Sequence, residues 1–516
     1  MSKNIEHDHT IIKQTDERGF NEDTKQAIMH LYKMGTKTAT KIIYSLRDSD
    51  ILNQVPGINI LNIQKPTVEQ LNNYLQNTLK PRLLNKYEFN YGELVEWIKN
   101  HSEIPDDEHE TFVIDFFFEI NDKFPSASIF RFSLSTKFLL QLSQSTKHVC
   151  TDTTHKILWE GFPVFLTGTT DLRRSYHPSS LSVCTNETAT EFEFVFNALK
   201  KVQEKLFNYI FRPNCLVADG ADAITNGFMK AFNYMSIDDF IRIMCWPHVD
   251  RAYKPKLASI KDKEIENAIE DDIFNIQICP SAQIFKLAIK LFEKKWREES
   301  DEIDIFIDYF KREWCDSKNC NWYEGAASRI PSNNNGCEGT NRWTKENHTL
   351  RNIEGISRFL TTAFRMVKNW SLDRTQNKKF AYFDSIKIED VSWKMAYQFL
   401  YLEPVGTILK KSENSFRLSN DKTLIKTNFL KIDNFENLVN CMLKVFDVEL
   451  NRTSWCESTC TCFFFNKHYN CFHVLVVAIN EKLLDIPYKF RACPIKQKKK
   501  PGRPKKAKRG DALIKI

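Results

Sequence analysis

The stretch "CLVADGADAITNGFMKAF", Cys215–Phe232, predicts a short buried β-strand that runs directly into an α-helix. The apolar run "CLVA" ends at Asp219, and the helical spacing begins a few residues later. Upstream, five apolar stretches between Thr111 and Cys184 have the length of strands, and "ATEFEFVFNALKKVQEKLF" has helical spacing. Downstream, "IRIMCWPHVDRAYK" predicts a strand followed by a helix. This succession of strands and helices predicts a mixed α/β fold.

Three carboxylates stand at positions where such a fold places functional groups. Asp152 interrupts an apolar β-like run in "CTDTTHK", Asp219 follows the strand "CLVA", and Glu338 opens a helix after the loop "SNNNG". Sites in α/β sheets form at the carboxyl ends of strands. Carboxylates placed there can bind two Mg²⁺ or Mn²⁺ ions for phosphodiester chemistry. Asp171 and Asp222 are alternatives, because most of the 66 acidic residues lie on the surface and Asp222 suits a helix cap.

The order and spacing of several motifs across residues 110–370 resemble the core of Mutator-like element transposases. In that family the first acid lies in an Asp-x-Thr context, which Asp152 matches, and the second precedes a small-residue helix, which Asp219 matches. A Cys-x-x-His motif is matched by Cys245 and His248. An Asn-Asn-x-x-Glu-x-x-Asn motif is matched by "NNGCEGTN", which places the third acid at Glu338. Gly339 departs from the family, which commonly has Ser there, and no effect on metal binding is expected.

The resemblance implies a ribonuclease-H-like mixed sheet, whose strand and helix order agrees with the succession above, and a helical insertion at about 255–325. It implies that Asp152, Asp219 and Glu338 coordinate two Mg²⁺ or Mn²⁺ ions. Water would then cleave DNA at the element end, and the released 3′-OH would attack the target DNA without a covalent protein intermediate. Cys245 and His248 are expected to be accessory to this site. The alternative is that Cys245 is a core thiol and His248 a packing or capping residue.

A cluster near the carboxyl end predicts a structural zinc site. Thiolate and imidazole ligands suit tetrahedral Zn²⁺, and a disulfide is not expected in an intracellular chain. The pattern Cys-x-Cys-x₈-Cys-x-His resembles the SWIM zinc finger, which often follows this transposase core. Cys456 and His468 are expected to be bystanders. The predicted ligands are Cys460, Cys462, Cys471 and His473.

A basic tail accounts for the positive charge of the chain. The net charge is +7, and Ile495–Gly510 holds nine Lys/Arg and no acid. Such a run is typical of a nuclear localisation signal or a nucleic-acid arm, although a solvated tail without a partner is the simple alternative. "KPGRPKK" resembles an AT-hook, in which Arg503 would enter an A·T minor groove. Its expected DNA contacts are Lys500, Arg503, Lys505 and Lys506.

The remaining sequence sets the expected domain organisation. Residues 1–20 are polar and expected to be disordered, and 21–95 have the pattern of three short helices, which suits a helix-turn-helix-like DNA-binding module or an ordinary helical bundle. After the core at 110–370, a helical or irregular connector is expected at 371–450, the zinc finger at 451–485 and the tail at 495–516. No secretory signal is present at the amino terminus, and no apolar run is long enough to span a membrane.

Three functions fit these observations. The first is a nuclear DNA transposase whose partners are double-stranded DNA, at element ends and target, and a second copy of the chain as a homodimer, with no membrane or small-molecule substrate. The second is a domesticated or inactive transposase-derived protein that binds zinc and DNA without catalysis. The third is a zinc-dependent protein-interaction adaptor, which explains the finger but not the three acids.

Overall fold

A seven-stranded mixed β-sheet lies at the centre of the protein. The computed structural model describes residues 19–34, 36, 38–79, 89–348, 353–376, 388–402 and 406–491. The strands of this sheet are β1 (Phe112–Glu119), β2 (Ile129–Ser135), β3 (His148–Thr154), β4 (Val164–Thr170), β5 (Tyr176–Cys184), β6 (Cys215–Ala218) and β7 (Ile241–Met244). Their spatial order is β1-β2-β5-β4-β3-β6-β7. The pairs β1–β2, β2–β5, β5–β4 and β4–β3 are antiparallel. The pairs β3–β6 and β6–β7 are parallel. The predicted mixed α/β class is therefore confirmed.

Helices surround this sheet and form the other parts of the chain. The α-helices of the described residues are α1 (Glu22–Lys33), α2 (Ala39–Ser45), α3 (Ser49–Leu52), α4 (Val68–Tyr74), α5 (Tyr91–Asn100), α6 (Lys137–Ser143), α7 (Ala189–Phe207), α8 (Asp222–Phe232), α9 (Trp246–Leu257), α10 (Lys263–Gln277), α11 (Ala282–Trp296), α12 (Asp301–Trp314), α13 (Asn335–Trp343), α14 (Ile356–Gln376), α15 (Asp390–Tyr401), α16 (Phe435–Lys444), α17 (Phe463–His468) and α18 (Phe472–Asn480). None of the helices in these ranges is both long and apolar enough to cross a membrane.

Both faces of the sheet are covered, which explains why its inner strands are apolar throughout. In β6, Leu216 and Ala218 face the core that α7 and α8 build, whereas Cys215 and Val217 face the core that α14 builds. This alternation follows from the two-residue period of a strand. Every residue of β4 and β5 is buried. A strand buried on both faces loses the apolar–polar alternation of a half-exposed strand.

The segment at about 255–325, predicted to be a helical insertion, is helical and contains α10, α11 and α12. Together with α9 these helices share an apolar core around the fully buried Trp322. Phe435, Leu438 and Met442 of α16 belong to the same core. The insertion therefore connects the central sheet to the carboxyl-terminal part of the chain.

The amino-terminal helices form a separate small core, made by Ala27, Ile28, Ile42 and Leu71 among others. The side chain of Asn21 caps α1, and Thr67 begins α4 with a capping box, as the sequence pattern predicts for these starts. Gly35, residues 1–18 of the expected disordered amino terminus and the whole basic tail at 495–516 lie outside the described residues.

A second sheet occupies part of the segment predicted to be a helical or irregular connector. Its strands are β8 (Thr407–Lys410), β9 (Ser415–Ser419), β10 (Val445–Glu449) and β11 (Thr459–Cys460), in the order β11-β10-β9-β8. The prediction for 371–450 was therefore wrong for β8, β9 and β10. Four- and five-residue strands are too short for a two-residue period to stand out in the sequence. This sheet packs directly on the cysteine cluster.

Gly227 provides a test of how closely α8 approaches α7. A Cβ atom at Gly227 would lie 2.4 Å from Phe192 Cβ and 2.8 Å from the backbone oxygen of Ala189. We expect Gly227→Ala to destabilise the protein by about 1–3 kcal/mol, because this overlap outweighs the ~1 kcal/mol gain in helix propensity. Gly339→Ala is the matched control, since its Cβ would meet no atom within 4 Å. The change in unfolding temperature relative to the wild type should differ between the two variants, either in sign or clearly in size. Equal unfolding temperatures of the two variants would contradict the close approach of α8 to α7.

Candidate active site and metal cluster

Asp152 lies on β3 and is half-buried. Asn341 of α13 donates a hydrogen bond from Nδ2 to Asp152 Oδ2 at 2.8 Å. The pKa of Asp152 is raised to about 6, mainly by burial and also by the negative charges of Glu338 and Asp219, against the hydrogen bond from Asn341. Glu338 and Asp219 thus lie near enough to Asp152 to affect its pKa, although the three acids come from distant parts of the sequence.

Asp219 directly follows β6, beside the end of β3. The two strands are parallel, with Cys150 opposite Val217, so Asp152 and Asp219 each stand two residues beyond that pair. Asp219 Oδ1 accepts a hydrogen bond from the backbone N–H of Ala221 at 3.0 Å, which orients the carboxylate in the turn before α8. The strand order therefore brings two of the predicted acids to the same edge of the sheet.

Arg242 on β7 supports the backbone below Asp219. Its buried guanidinium donates hydrogen bonds to the backbone oxygens of Ala218, at 3.2 Å, and of Asp219. Burial lowers the pKa of Arg242 to about 10, although the charge of Asp219 opposes that change. The role of Arg242 was not predicted from the sequence. A lone arginine in the apolar strand "IRIM" is the signal that could have found it, because buried arginines are rare unless they are paired.

Glu338 lies in the first turn of α13 and faces three groups from α9 and the residue before it. Its Oε1 is 3.6 Å from Cys245 Sγ and 3.6 Å from His248 Nδ1. Its Oε2 is 3.8 Å from Arg251 Nη2. The structure therefore brings the predicted accessory residues Cys245 and His248 next to the third acid.

The motif "NNGCEGTN" fixes α13 against the sheet. Asn334 donates from Nδ2 to the backbone oxygen of Thr151 at 2.7 Å, and its backbone N–H donates to Cys245 Sγ at 3.2 Å. Gly336 is required by close packing, since a Cβ there would lie 2.7 Å from Tyr176 Cβ. These contacts explain why Asn and Gly precede Glu338. They set the position of the acid relative to β3.

An open cleft of about 560 Å³ contains Asp152, Glu338 and several cations. Lys156 follows β3, while Arg342 and Lys345 lie on the same side of α13 and its π-helical extension as Glu338. Burial lowers the pKa of Lys345, against the opposing charge of Asp152. These cations were not predicted. Their spacing of four and seven residues after Glu338 is the helical signal that could have found them.

The three predicted acids do not form one tight ligand group, and Asp219 does not line the cleft. Among the described residues, three or more His, Cys, Asp or Glu ligand atoms converge within 4.8 Å of one another at two places. One is Cys245, His248 and Glu338, and the other is the carboxyl-terminal cluster. Asp152 and Asp219 belong to neither, so a pair of catalytic ions remains a proposal.

The two alternative acids, Asp171 and Asp222, make contacts that are typical of residues with a structural role. The Asp171 side chain is buried, with Oδ2 3.1 Å from His177 Nε2, and it accepts hydrogen bonds from the backbone at the β4–β5 turn. Asp222 occupies the first turn of α8, where Ala221 is the cap, and forms an ion pair with Lys318. Neither residue lies in the lining of the cleft.

The carboxyl-terminal cluster has the geometry of a metal site. Its four ligand atoms lie within 4.8 Å of one another, and Cys460 Sγ is 3.8 Å from His473 Nδ1. This distance is close to the ~3.5–3.8 Å edge of a tetrahedral Zn²⁺ site. Backbone N–H groups of Cys462 and Phe465 donate to the sulfurs of Cys460 and Cys462 at 3.4 and 3.3 Å. The four residues, Cys460, Cys462, Cys471 and His473, are buried and could hold a zinc ion.

The local fold explains how the short Cys-x-Cys and Cys-x-His spacings bring four ligand atoms together. Cys460 ends β11 and Cys462 is the N-cap of α17, while Cys471 is the N-cap of α18 and His473 lies in its first turn. Two helix starts therefore converge on one strand end. The nearby Cys456 and His468 are not in the ligand group, in agreement with their predicted bystander role.

Two arginines connect this cluster to the central sheet. Arg329 donates to the backbone oxygens of Cys456 and Ser458, just before β11. Arg174, at the β4–β5 turn, donates to the backbone oxygen of Lys467 at 3.2 Å and lies 5.9 Å from the ring centre of Tyr469. The cluster is therefore fixed to the same body that carries the acids.

Comparison with known proteins gives this chain no family. A scan against protein-family models matched none of them, and a search of the curated proteins found no match.

Proposed function

We propose that the protein is a metal-dependent DNA-cleaving and DNA-joining enzyme of the Mutator-like transposase class, with a ribonuclease-H-like catalytic core. The sequence motifs named above are one support. The strand order is another: β5, β4 and β3 are antiparallel neighbours, and β6 and β7 continue the sheet in parallel. Helices α7 and α8 connect these strands in the order expected of that core.

The observation that carries the proposal is the placement of Asp152 and Asp219 at matching positions on the neighbouring parallel strands β3 and β6, with Glu338 lining the same cleft as Asp152. Glu338 and Asp219 both raise the pKa of Asp152, in addition to its burial. Placing like charges together costs folding free energy unless a cation joins them. Oxygen ligands of this kind suit Mg²⁺ or Mn²⁺. The residues present therefore fit a divalent cation that would be held by Asp152, Asp219 and Glu338.

The side chains of the cleft have separate tasks in this proposal. The bound ions would supply an activated water and stabilise charge on the phosphate. Asn341 holds Asp152 by the hydrogen bond to Oδ2, and Arg251 orients Glu338. Lys156 and Lys345 line the cleft, where they can bind the phosphates on either side of the cleaved bond. The cleft is lined by three acids, Asp152, Glu338 and Glu346, and by three cations, Lys156, Arg342 and Lys345. Cations beside a metal-binding group of acids suit a polyanionic substrate.

Other parts of the chain would contact DNA in the same proposal. The core formed by α1, α2 and α4 is the candidate helix-turn-helix-like module. The basic tail, outside the described residues, is the candidate AT-hook and nuclear localisation signal, and it makes the nucleus the proposed location. Element ends, target DNA and a second copy of the chain are the proposed partners.

The test is nicking of a supercoiled plasmid by the purified full-length protein. We expect conversion to open circles with Mn²⁺ or Mg²⁺ and none with EDTA, because cleavage needs the ions. Plasmid binding, followed by gel shift, should persist in EDTA but weaken as salt rises, since it depends on phosphate contacts. Nicking that is independent of metal would contradict the proposed chemistry.

A non-catalytic, transposase-derived DNA-binding protein is the second candidate. It is favoured by one observation: Asp152 and Asp219 do not join Glu338 in a ligand group within 4.8 Å. This candidate predicts the same salt-sensitive plasmid binding without nicking under any divalent ion. The plasmid experiment therefore separates the two functions directly.

A further inference from the structure

Cys245, His248 and Glu338 form a second candidate metal site, distinct from the carboxyl-terminal cluster. Their ligand atoms all lie within 4.8 Å of one another. Glu338 Oε1 is equally far, 3.6 Å, from Cys245 Sγ and from His248 Nδ1. The set combines a thiol, an imidazole and a carboxylate, whereas the proposed catalytic site has carboxylates alone.

The Cys245 thiol donates a long hydrogen bond to Glu338 Oε1, and the separation of His248 Nδ1 from the same oxygen suits a shared metal ion better than a direct hydrogen bond. With metal–ligand distances of about 2.0–2.3 Å, the oxygen–nitrogen and oxygen–sulfur edges of a tetrahedral Zn²⁺ site are about 3.3–3.6 Å long. The observed 3.6 Å is within a few tenths of an ångström of these edges. It exceeds the ordinary range for an imidazole–carboxylate hydrogen bond. His248 Nδ1 is shielded from solvent and has no hydrogen-bond partner within the described part of the chain.

The three ligands are held by elements that are already in place. Cys245 is the N-cap of α9, His248 lies in its first turn, and Glu338 lies in the first turn of α13. The backbone N–H of Asn334 donates to Cys245 Sγ at 3.2 Å and orients the sulfur. Arg251 lies nearer the second oxygen of Glu338, Oε2, at 3.8 Å. Oε1 is therefore the oxygen directed between Cys245 and His248.

The site has three protein ligands and opens on the cleft, because His248 and Glu338 both line it. Three protein ligands with one open position are typical of exchangeable or catalytic zinc sites, whereas closed sites with four ligands are structural. Thiolate and imidazole favour Zn²⁺ and Co²⁺ over Mg²⁺, which prefers oxygen ligands. The donor set therefore selects a different class of ion from the one proposed for catalysis.

We propose that Cys245, His248 and Glu338 bind a transition-metal ion of the Zn²⁺ class, and that this ion inhibits DNA cleavage by engaging Glu338. Binding would release the Cys245 thiol proton to solvent and leave one coordination position open towards the cleft. The binding itself is independent of the proposed function. The inhibition rests on that function, since it requires Glu338 to hold a catalytic ion.

Cobalt binding to the full-length protein tests the site. The probe is Co²⁺, added after the zinc content of the carboxyl-terminal cluster has been measured. We expect one additional Co²⁺ per chain, with the strong near-ultraviolet absorption of a thiolate–Co²⁺ bond, and no loss of zinc. Cys245→Ser should remove that absorption, and His248→Gln should weaken Co²⁺ binding at least tenfold. The matched control Cys456→Ser, at a cysteine outside both ligand groups, should bind like the wild type.

Each half of the proposal can fail separately. Identical Co²⁺ spectra in the wild type and in folded Cys245→Ser would overturn the site, and His248→Gln gives an independent measure if Cys245→Ser does not fold. For the inhibition, micromolar-range Zn²⁺ should suppress Mn²⁺-dependent nicking by the wild type. Nicking that is insensitive to Zn²⁺ at saturating occupancy would overturn the inhibition. Co²⁺ binding through Cys245 in a protein that never nicks DNA would instead count against the proposed function alone.

Discussion

Asp152→Asn is expected to lower Mn²⁺-dependent nicking by a factor on the order of 10³ or more, without unfolding the protein. Asparagine keeps the size of the side chain and an oxygen that can accept the hydrogen bond from Asn341 Nδ2. It lacks the negative charge that would hold a divalent ion. Loss of one preorganised electrostatic group commonly costs 10²–10³ in rate, and loss of an ion ligand should cost at least as much. Gel quantification of nicked plasmid measures the effect.

The same substitution should make the metal-free protein more stable. Burial and neighbouring acids raise the pKa of Asp152 to about 6 in the folded state, above the ~4 expected of an unfolded chain. Ionisation therefore destabilises the folded state, and the cost is complete above about pH 6. Asparagine removes that cost, so we expect a gain on the order of 1–2 kcal/mol at pH 8 in EDTA, after allowing for solvent screening. Below pH 4 the gain should vanish, because both states of the wild type are protonated.

The control is Asp115→Asn, which makes the same chemical change in the same sheet. Asp115 lies on β1 and pairs with the exposed Lys201, outside the lining of the cleft. It should keep wild-type nicking and change stability little, since exposed ion pairs contribute about 0–1 kcal/mol. Added Mn²⁺ should raise the unfolding temperature of the wild type but not that of Asp152→Asn. An active Asp152→Asn variant, or one less stable at pH 8, would contradict the assigned environment.

The fold of the central sheet could be predicted because β1 to β5 have seven to nine residues each and its helices are strongly patterned. The helix Ala189–Phe207 begins and ends where its sequence pattern and its Thr188–Glu191 capping box place it. The four-residue strand "CLVA" is recognisable from its continuous apolar run and the Asp-Gly pair that follows it, and the structure shows it completely buried. The second sheet could not be predicted, since β8 has four residues and its stability comes from contacts made far along the chain. Pairing partners of short strands are a tertiary property that local patterns do not contain.

Some residues of the candidate site could likewise be predicted from local sequence patterns, whereas others depend on tertiary packing. Residue type and local spacing identified the four zinc-cluster ligands, because all of them lie within fourteen residues. Asp152, Asp219 and Glu338 could be chosen from a family resemblance, but their mutual effect on pKa depends on how β3, β6 and α13 pack. The lowered pKa values of Arg242 and Lys345 result from their burial near those acids, which the sequence does not show. The convergence of Cys245 and His248 on Glu338 also spans about ninety residues, which no local motif specifies.

Cys471→Ser is expected to remove zinc from the carboxyl-terminal cluster and to unfold the region from β11 to α18. Cys471 is buried beside Cys460 and Cys462, and a serine hydroxyl is a poor substitute for a thiolate ligand. In small zinc fingers the metal supplies on the order of 10 kcal/mol of folding free energy. Here an apolar core that includes Phe416, Leu418 and residues of α18 supplies part of the stability as well. Local rather than global unfolding should therefore result.

Hydrogen exchange and zinc analysis together measure that outcome. Amides of α17 and α18 should lose protection and one zinc per chain should disappear, while β3 to β7 remain protected. Cys456→Ser is the control, because Arg329 bonds the backbone oxygen of Cys456 and not its sulfur. It should keep both zinc and protection. Normal zinc content in Cys471→Ser, or zinc loss in Cys456→Ser, would contradict the assigned ligands.

The position of Arg329 makes nicking a second readout for Cys471→Ser. Arg329 bonds the backbone just before β11, and the chain continues from it to Asn334, which fixes α13 against β3 and thereby positions Glu338. Unfolding of the cluster removes the acceptors of Arg329, so α13 loses one of its anchors while the acids themselves remain. We therefore expect nicking to fall about 5- to 30-fold, corresponding to a loss of about 1–2 kcal/mol in positioning. A loss as large as that of Asp152→Asn would instead mean that the cluster takes part in binding DNA, and gel shifts of Cys471→Ser would show that loss directly.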